Sequence, residues 1–139
     1  AGVEAELKPF IRDTAEAFAD ADLVVCRAGA STVTEISAVG AAALFVPFPF
    51  AVDDHQTTNA AFLVDQGGGW LIQQDQLSPE RLVRLLQETG RSELLERAQK
   101  AWTLRKIHAT EDVVTACEEL ARLNTPSVTS TSSASAVPA

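Results

Sequence analysis

Two short stretches carry the residue types that could hold an anionic, hydroxylated ligand. The first is Arg27-Ala28-Gly29-Ala30-Ser31-Thr32, continued by Val33-Thr34-Glu35. Its small side chains stand where the apolar run of residues 21–25 gives way to a helical pattern. Small residues at such a point let a phosphate approach free backbone N–H groups at the positive end of the helix dipole. A purely local reading is equally open. Thr32-Val33-Thr34-Glu35 fits a capping box, in which Glu35 folds back on its own helix start. Glu35 could instead accept hydrogen bonds from a ribose diol, as acidic residues do in nucleotide sites.

The second stretch is Asp53-Asp54-His55-Gln56-Thr57-Thr58-Asn59. Asp54 is the natural N-cap of a following helix, and Gln56 and Asn59 share a face of it. His55 has no serine or carboxylate partner fixed by spacing, so it reads as a ligand contact before it reads as a base. The adjacent aspartates read as a cap and a solvated charge rather than a metal site. The two cysteines, Cys26 and Cys117, lack metal-ligand spacing and fit a reducing compartment. Both are expected to be buried small hydrophobes.

These stretches need a scaffold that brings them together. Residues 23–26, 42–48 and 70–72 are apolar enough for buried parallel strands, and residues 3–10 alternate as a further strand. Between them lie helical patterns: a short one capped by Asp13, one over 33–39 stopped by Gly40, and one over 55–66 ended by Gly67-Gly68-Gly69. Ser78 and Pro79 form an N-cap and first-turn pair, followed by amphipathic helices over 79–89, 92–104 and 110–123. Alternating strands and helices predict an α/β fold, a Rossmann-like parallel sheet with flanking helices. Its count of about four strands is fewer than a complete doubly wound sheet carries. In such sheets ligands bind beyond the carboxyl ends of the strands, which gathers the loops at 10–13, 27–32 and 47–55 on one edge.

The bulk properties narrow the function. A length of 139 residues suits one ordered domain, here residues 1–124. Residues 125–139, rich in Ser, Thr and Ala, bury too little surface to order and read as a disordered tail. The formal net charge of −8 argues against a nucleic-acid partner. No apolar run reaches the roughly 20 residues that span a bilayer, and no signal peptide is visible. The sequence has no methionine, which leads us to expect a fragment or a processed product.

Several pieces together are more specific than any single loop: Ala21-Asp22, Cys26-Arg27, Gly29-Ala30-Ser31-Thr32, Glu35, Pro47, Asp53-Asp54-His55-Gln56 and Asn59-Ala60. In that order, within residues 3–123, they resemble the C-terminal domain of the MurG family of bacterial peptidoglycan glycosyltransferases. The resemblance implies the GT-B architecture, two Rossmann-like domains facing a cleft, with the C-terminal one binding UDP-N-acetylglucosamine. The implied reaction passes N-acetylglucosamine to an undecaprenyl-diphosphate-linked muramoyl-pentapeptide with inversion. By position, it puts Phe10 and Ile11 at the uracil and Ala30, Ser31, Thr32, Val33 and Thr34 around the diphosphate. Glu35 falls at the ribose hydroxyls and Gln56 at the donor sugar. Arg27, Gly29, His55 and Asn59 fall in supporting places.

The resemblance implies neither cofactor nor metal, because a helix N-terminus meets the departing diphosphate. It also implies a chain truncated on its N-terminal side. The acceptor, the membrane contact and the catalytic residues would then belong to the missing domain, in an enzyme at the cytoplasmic face of the plasma membrane. This chain alone would be inactive. The alternatives are a nucleotide-sugar-binding subunit that needs a partner chain, the donor domain of another GT-B glycolipid glycosyltransferase, and a structural α/β domain whose loops only cap helices.

Overall fold

The computed structural model describes residue 2 and residues 4–123. The expected disordered tail lies outside the described residues. The chain divides into two compact units, Ala1–Lys106 and Ile107–Ala139. The first unit contains helix α1 (Thr14–Ala19), strand β1 (Val24–Cys26), helix α2 (Ala30–Val39), strand β2 (Ala43–Phe45), helix α3 (His55–Val64), strand β3 (Trp70–Leu71), helix α4 (Pro79–Glu88) and helix α5 (Arg91–Thr103). Single 3-10 turns, Val52–Asp54 and Gln74–Gln76, precede α3 and follow β3. In the second unit the described element is helix α6 (Ala109–Leu123).

The strands form a parallel sheet in the order β1-β2-β3. Val24, Val25 and Cys26 pair with Ala43, Leu44 and Phe45, while Leu44 and Phe45 pair with Trp70 and Leu71. The central strand is buried on both faces, and this divides the core. Ala43 and Phe45 point to one side, among Ala28, Val33, Ile36, Ala60, Leu63 and Ala101. Leu44 points to the other with Val46 and Ile72, against Leu23, Leu77, Leu82 and Leu85. Period-two alternation in a strand covered on both faces produces this division.

Local signals hold at most helix ends. The Asp13 carboxylate accepts from the Glu16 N–H at 2.9 Å, and Ser78 Oγ from the Arg81 N–H at 3.2 Å. Gly40 ends α2 in the left-handed region (φ 76°), a conformation open to glycine without strain. Gly69 is required for a different reason: a Cβ there would stand 2.8 Å from the Ala43 carbonyl oxygen and 3.2 Å from the Phe45 ring. The third glycine of the Gly67-Gly68-Gly69 run thus lets β3 approach β2.

Three expectations need correction. Residues 4–10 form no strand, and Leu7 is 93% exposed. Their alternation is real, but no described strand pairs with them, and an unpaired strand has no ladder to stabilise it. Helix α2 begins at Ala30, three residues before the expected start. On α6 the expected buried stripe is exposed at Val113, Val114 and Leu120, and so is Cys117. Within its own unit α6 has no second described element to bury that face against. On α4 and α5 the stripes are half-buried through Leu82, Leu85, Leu94 and Ala98, while Leu86, Leu95 and Trp102 stay exposed.

Replacing Gly69 by Ala should destabilise the chain by about 1–3 kcal/mol, the cost of overpacking against backbone; an unchanged urea midpoint would refute that contact. The thiols should also separate. Burial pushes the pKa of Cys26 up from 9.0 to about 11. The raised folded-state value favours the neutral thiol, so its contribution to stability is full below pH 9.0 and lost as pH rises through about 11. Near neutral pH a disulfide reagent should label Cys117 first and Cys26 only on unfolding; equal rates would contradict this assignment.

Candidate ligand site at the carboxyl edge of the sheet

Parallel pairing sends the segments after β1, β2 and β3 to the same edge. The link from β1 to α2 is only Arg27-Ala28-Gly29. Gly29 is the N-cap residue of α2, extended (φ −64°, ψ 150°) and without a side-chain cap. The Thr32–Glu35 capping box is therefore not formed. With the helix starting at Ala30, Thr32 already lies in the first turn and Glu35 in the second. Thr34 Oγ1 donates instead to the Ala30 carbonyl at 2.9 Å, and Ser37 Oγ to the Thr34 carbonyl at 2.8 Å. The first-turn N–H groups of a helix have no intrahelical acceptor, and here no cap side chain takes them. A Cβ on Gly29 would meet nothing nearer than Thr32 Oγ1 at 3.8 Å, so the space before the helix start is open.

Helix α3 holds that start in place. Gln56 Oε1 accepts from the Ala28 N–H (3.3 Å) and from the Phe48 N–H (2.9 Å). Asn59 Nδ2 donates to the Ala28 carbonyl (3.1 Å). Both polar groups of one peptide residue are thus gripped by side chains three positions apart on one helix face. Arg27 ties the same loop to the segment after β2, donating through Nη1 to the Val46 carbonyl (3.1 Å) and the Pro47 carbonyl (3.0 Å). Its guanidinium also lies 5.6 Å from the centre of the Phe48 ring.

The turn into α3 is strained. Asp53 (φ 51°) and Asp54 (φ 50°) are the non-glycine residues with positive φ among those described. Asp54 occupies the N-cap position of α3 but makes no side-chain cap to the backbone; its carboxylate accepts from Thr57 Oγ1 at 2.6 Å. His55 is exposed, and its Nδ1 bonds to the Val52 carbonyl at 2.8 Å. A carbonyl can only accept, so Nδ1 carries the proton.

The structure therefore brings Arg27, Gly29, Ala30, Ser31, Thr32, His55, Gln56 and Asn59 to one edge. Val33 is buried beneath α2, Thr34 is exposed and Glu35 is half-buried. Phe10 (77% exposed) and Ile11 (43%) stand in the segment before α1, and no described hydrogen bond joins them to this edge. That loop follows no strand, so the topology that gathers the others does not place it. Two glutamines were not singled out from the sequence. Gln73 Nε2 donates to Thr57 Oγ1 at 2.9 Å, and Gln74 Oε1 accepts from Arg27 Nη2. With Pro49, Asp54 and Asp75 they line a cavity of about 360 Å³. Their signal was available, since they are the first polar residues after a third parallel strand. A larger cleft, about 600 Å³, lies away from this edge, where Trp70, Arg81, Arg84 and Arg97 meet between β3, α4 and α5. Among the described residues no three His, Cys, Asp or Glu side chains converge.

Asn59→Ala should cost about 1–2 kcal/mol, because it leaves the part-buried Ala28 carbonyl without its donor. Denaturant unfolding measures this, and a loss too small to resolve would mean that the carbonyl is satisfied in another way.

Residues 2–114 match the glycosyltransferase family 28 C-terminal domain. The UDP-N-acetylglucosamine--N-acetylmuramyl-(pentapeptide) pyrophosphoryl-undecaprenol N-acetylglucosamine transferase of Paracidovorax citrulli (strain AAC00-1) is 73% identical over 120 residues, covering 86% of this chain and 34% of the relative. The transferase of the same name from Polaromonas sp. (strain JS666 / ATCC BAA-500) is 73% identical over 122 residues, covering 88% of this chain and 32% of its own length. The crystal structure of Acinetobacter baumannii MurG superposes with a TM-score of 0.77 at 47% identity, over 82% of this chain and 33% of that one. The chain thus spans about a third of the length of these relatives. By the family match, the parallel sheet and the structural neighbour together, the chain belongs to glycosyltransferase family 28, as a C-terminal domain of that family.

Proposed function

We propose that this domain holds the nucleotide-sugar donor of a peptidoglycan N-acetylglucosaminyltransferase. The donor is UDP-N-acetylglucosamine, and the acceptor is the undecaprenyl-diphosphate-linked muramoyl-pentapeptide, bound by another part of the longer protein. One observation carries the reading: the start of α2 has no side-chain cap and open space before it, yet it is pinned at Ala28 by Gln56 and Asn59. A rigid helix start with unclaimed N–H groups suits a diphosphate.

In this reading the backbone of Ala30, Ser31 and Thr32, with the hydroxyls of Ser31 and Thr32, surrounds the diphosphate, while Thr34 spends its hydroxyl proton on the Ala30 carbonyl and braces the turn behind them. Glu35, one turn further on, accepts from the ribose hydroxyls. Gln56 commits its oxygen to Ala28 and Phe48, which leaves Nε2 to donate to a sugar hydroxyl. Phe10 and Ile11 present an exposed apolar pair to the uracil. His55, exposed and with its Nδ1 proton held by the Val52 carbonyl, has Nε2 as a further polar contact.

Transfer with inversion breaks the bond between the anomeric carbon and the diphosphate as the acceptor hydroxyl attacks from the opposite face. Negative charge builds on the departing UDP. A pre-oriented helix N-terminus stabilises that charge without reorganising, which lowers the barrier to departure. The group that removes the acceptor proton, and the membrane contact at the cytoplasmic face, belong to the remaining part of the protein. This chain alone therefore binds donor without turning it over.

Calorimetric titration with UDP, UDP-N-acetylglucosamine and UDP-galactose tests the reading. UDP and UDP-N-acetylglucosamine should bind, UDP-galactose more weakly, and Glu35→Ala should lower UDP affinity about tenfold through loss of a charge-assisted ribose contact. Failure of the unsubstituted chain to bind UDP at millimolar concentration would sink the donor assignment. Equal affinity for the two sugars would sink the N-acetylglucosamine part.

A further inference from the structure

The hydrogen bonds at the carboxyl edge close into a ring. Starting at Ala28, both polar groups of its peptide are held by Gln56 and Asn59 on α3. One residue along that helix, Thr57 donates to Asp54 at the helix entrance and accepts from Gln73 of the loop after β3. The next residue of that loop, Gln74, accepts from Arg27 Nη2. Arg27 is covalently adjacent to Ala28, which returns the path to its origin. The loop that supplies both glutamines is itself held as a turn, with the Gln76 N–H donating to the Gln73 carbonyl at 2.9 Å and the Leu77 N–H to the Gln74 carbonyl at 3.3 Å.

Each link taken alone is an exposed or part-buried hydrogen bond of modest worth. In a closed path the links fix one another, because displacing any member strains the geometry of the next. The ring runs through Arg27 and Ala28, the first two residues of the link from which α2 departs. Arg27 is held by the segment that follows β2, through the Val46 and Pro47 carbonyls, whether or not the ring closes. What Gln74 adds is a connection from that anchor to a third strand.

We infer that Gln73 and Gln74 are positioning residues, which close a hydrogen-bonded ring through the β1–α2 link and so aim the start of α2 at its ligand. This rests on the donor-binding reading above for the ligand, while the ring is a property of the chain without it. Neither glutamine needs to touch the nucleotide. Opening the ring at either point should have the same consequence, so the two sites should behave as one unit.

The test uses the whole chain with Gln73→Ala, Gln74→Ala, the double variant and Gln74→Glu, which keeps an acceptor for Arg27. Gln76→Ala, in the same turn but outside the ring, is the control. Two readouts are taken: UDP affinity by calorimetry and the backbone amide signals of Ala28 and Gly29 by NMR. Each single alanine variant should weaken UDP binding about fivefold at an unchanged melting temperature, and the double variant by no more than about twofold beyond either single. The Ala28 and Gly29 signals should shift in all three, return with Gln74→Glu, and stay unmoved in Gln76→Ala. Unmoved signals in the single variants, or effects that simply add in the double, would overturn the ring. If the unsubstituted chain binds no UDP, the donor reading fails, and the amide signals still decide whether the glutamines position the link.

Discussion

Everything at the carboxyl edge depends on one small peptide unit, the Ala28 residue gripped from both sides by Gln56 and Asn59. Ala28 is fully buried, so its N–H and carbonyl are out of reach of water and must be satisfied by protein. Helix α3 supplies that satisfaction, and this fixes where α2 can begin. Without the two amides the β1–α2 link would have to solvate, and the helix start would move off the edge of the sheet. The burial demand of a backbone group and the placing of a helix start are met here by the same side chains.

The strain before α3 follows from that arrangement. Two successive left-handed aspartates are costly, of order 1–2 kcal/mol per residue for L-amino acids, although aspartate tolerates the region better than most. The Val52–Asp54 turn has to bring the chain from the end of β2 into a helix whose first turn carries Gln56 against both Ala28 and Phe48. Asp53 and Asp54 make that reversal, and the Thr57 hydroxyl bond to Asp54 stabilises it. Aspartates that invite a metal-binding reading thus have a conformational use.

Legibility in the sequence followed the range of the interactions involved. The Asp13 and Ser78 caps, the Gly40 stop and the buried character of β2 were readable, because each depends on neighbours within a few residues. The capping box was misread because its spacing was present but the helix began earlier, at Ala30, where Gly29 needs no side chain to start it. Residues 4–10 of the expected first strand form none because alternation is necessary for a strand but not sufficient. A strand also needs a neighbour, and a sequence pattern does not contain one. Cys117, Val113, Val114 and Leu120 differ from expectation for the same reason, since an amphipathic pattern does not contain the surface that would cover it.

The sequence by itself determined the fold class, the order of strands and α-helices from α1 onward and the family, because periodicity, punctuating glycines and prolines, and a run of specific loop residues are all local information. It also put Gln56 and Asn59 on a common helix face, which is a matter of spacing alone. Only the tertiary structure decided what that face touches. The partners of Gln56 are 28 and 8 residues away in the chain, that of Asn59 is 31 away, and that of Arg27 on the β3 loop is 47 away. Contacts at such separations are set by parallel strand pairing and by the burial of β2 between two helical layers. For that reason Gln73 and Gln74, unremarkable in the sequence, became part of the site once the third strand was in place.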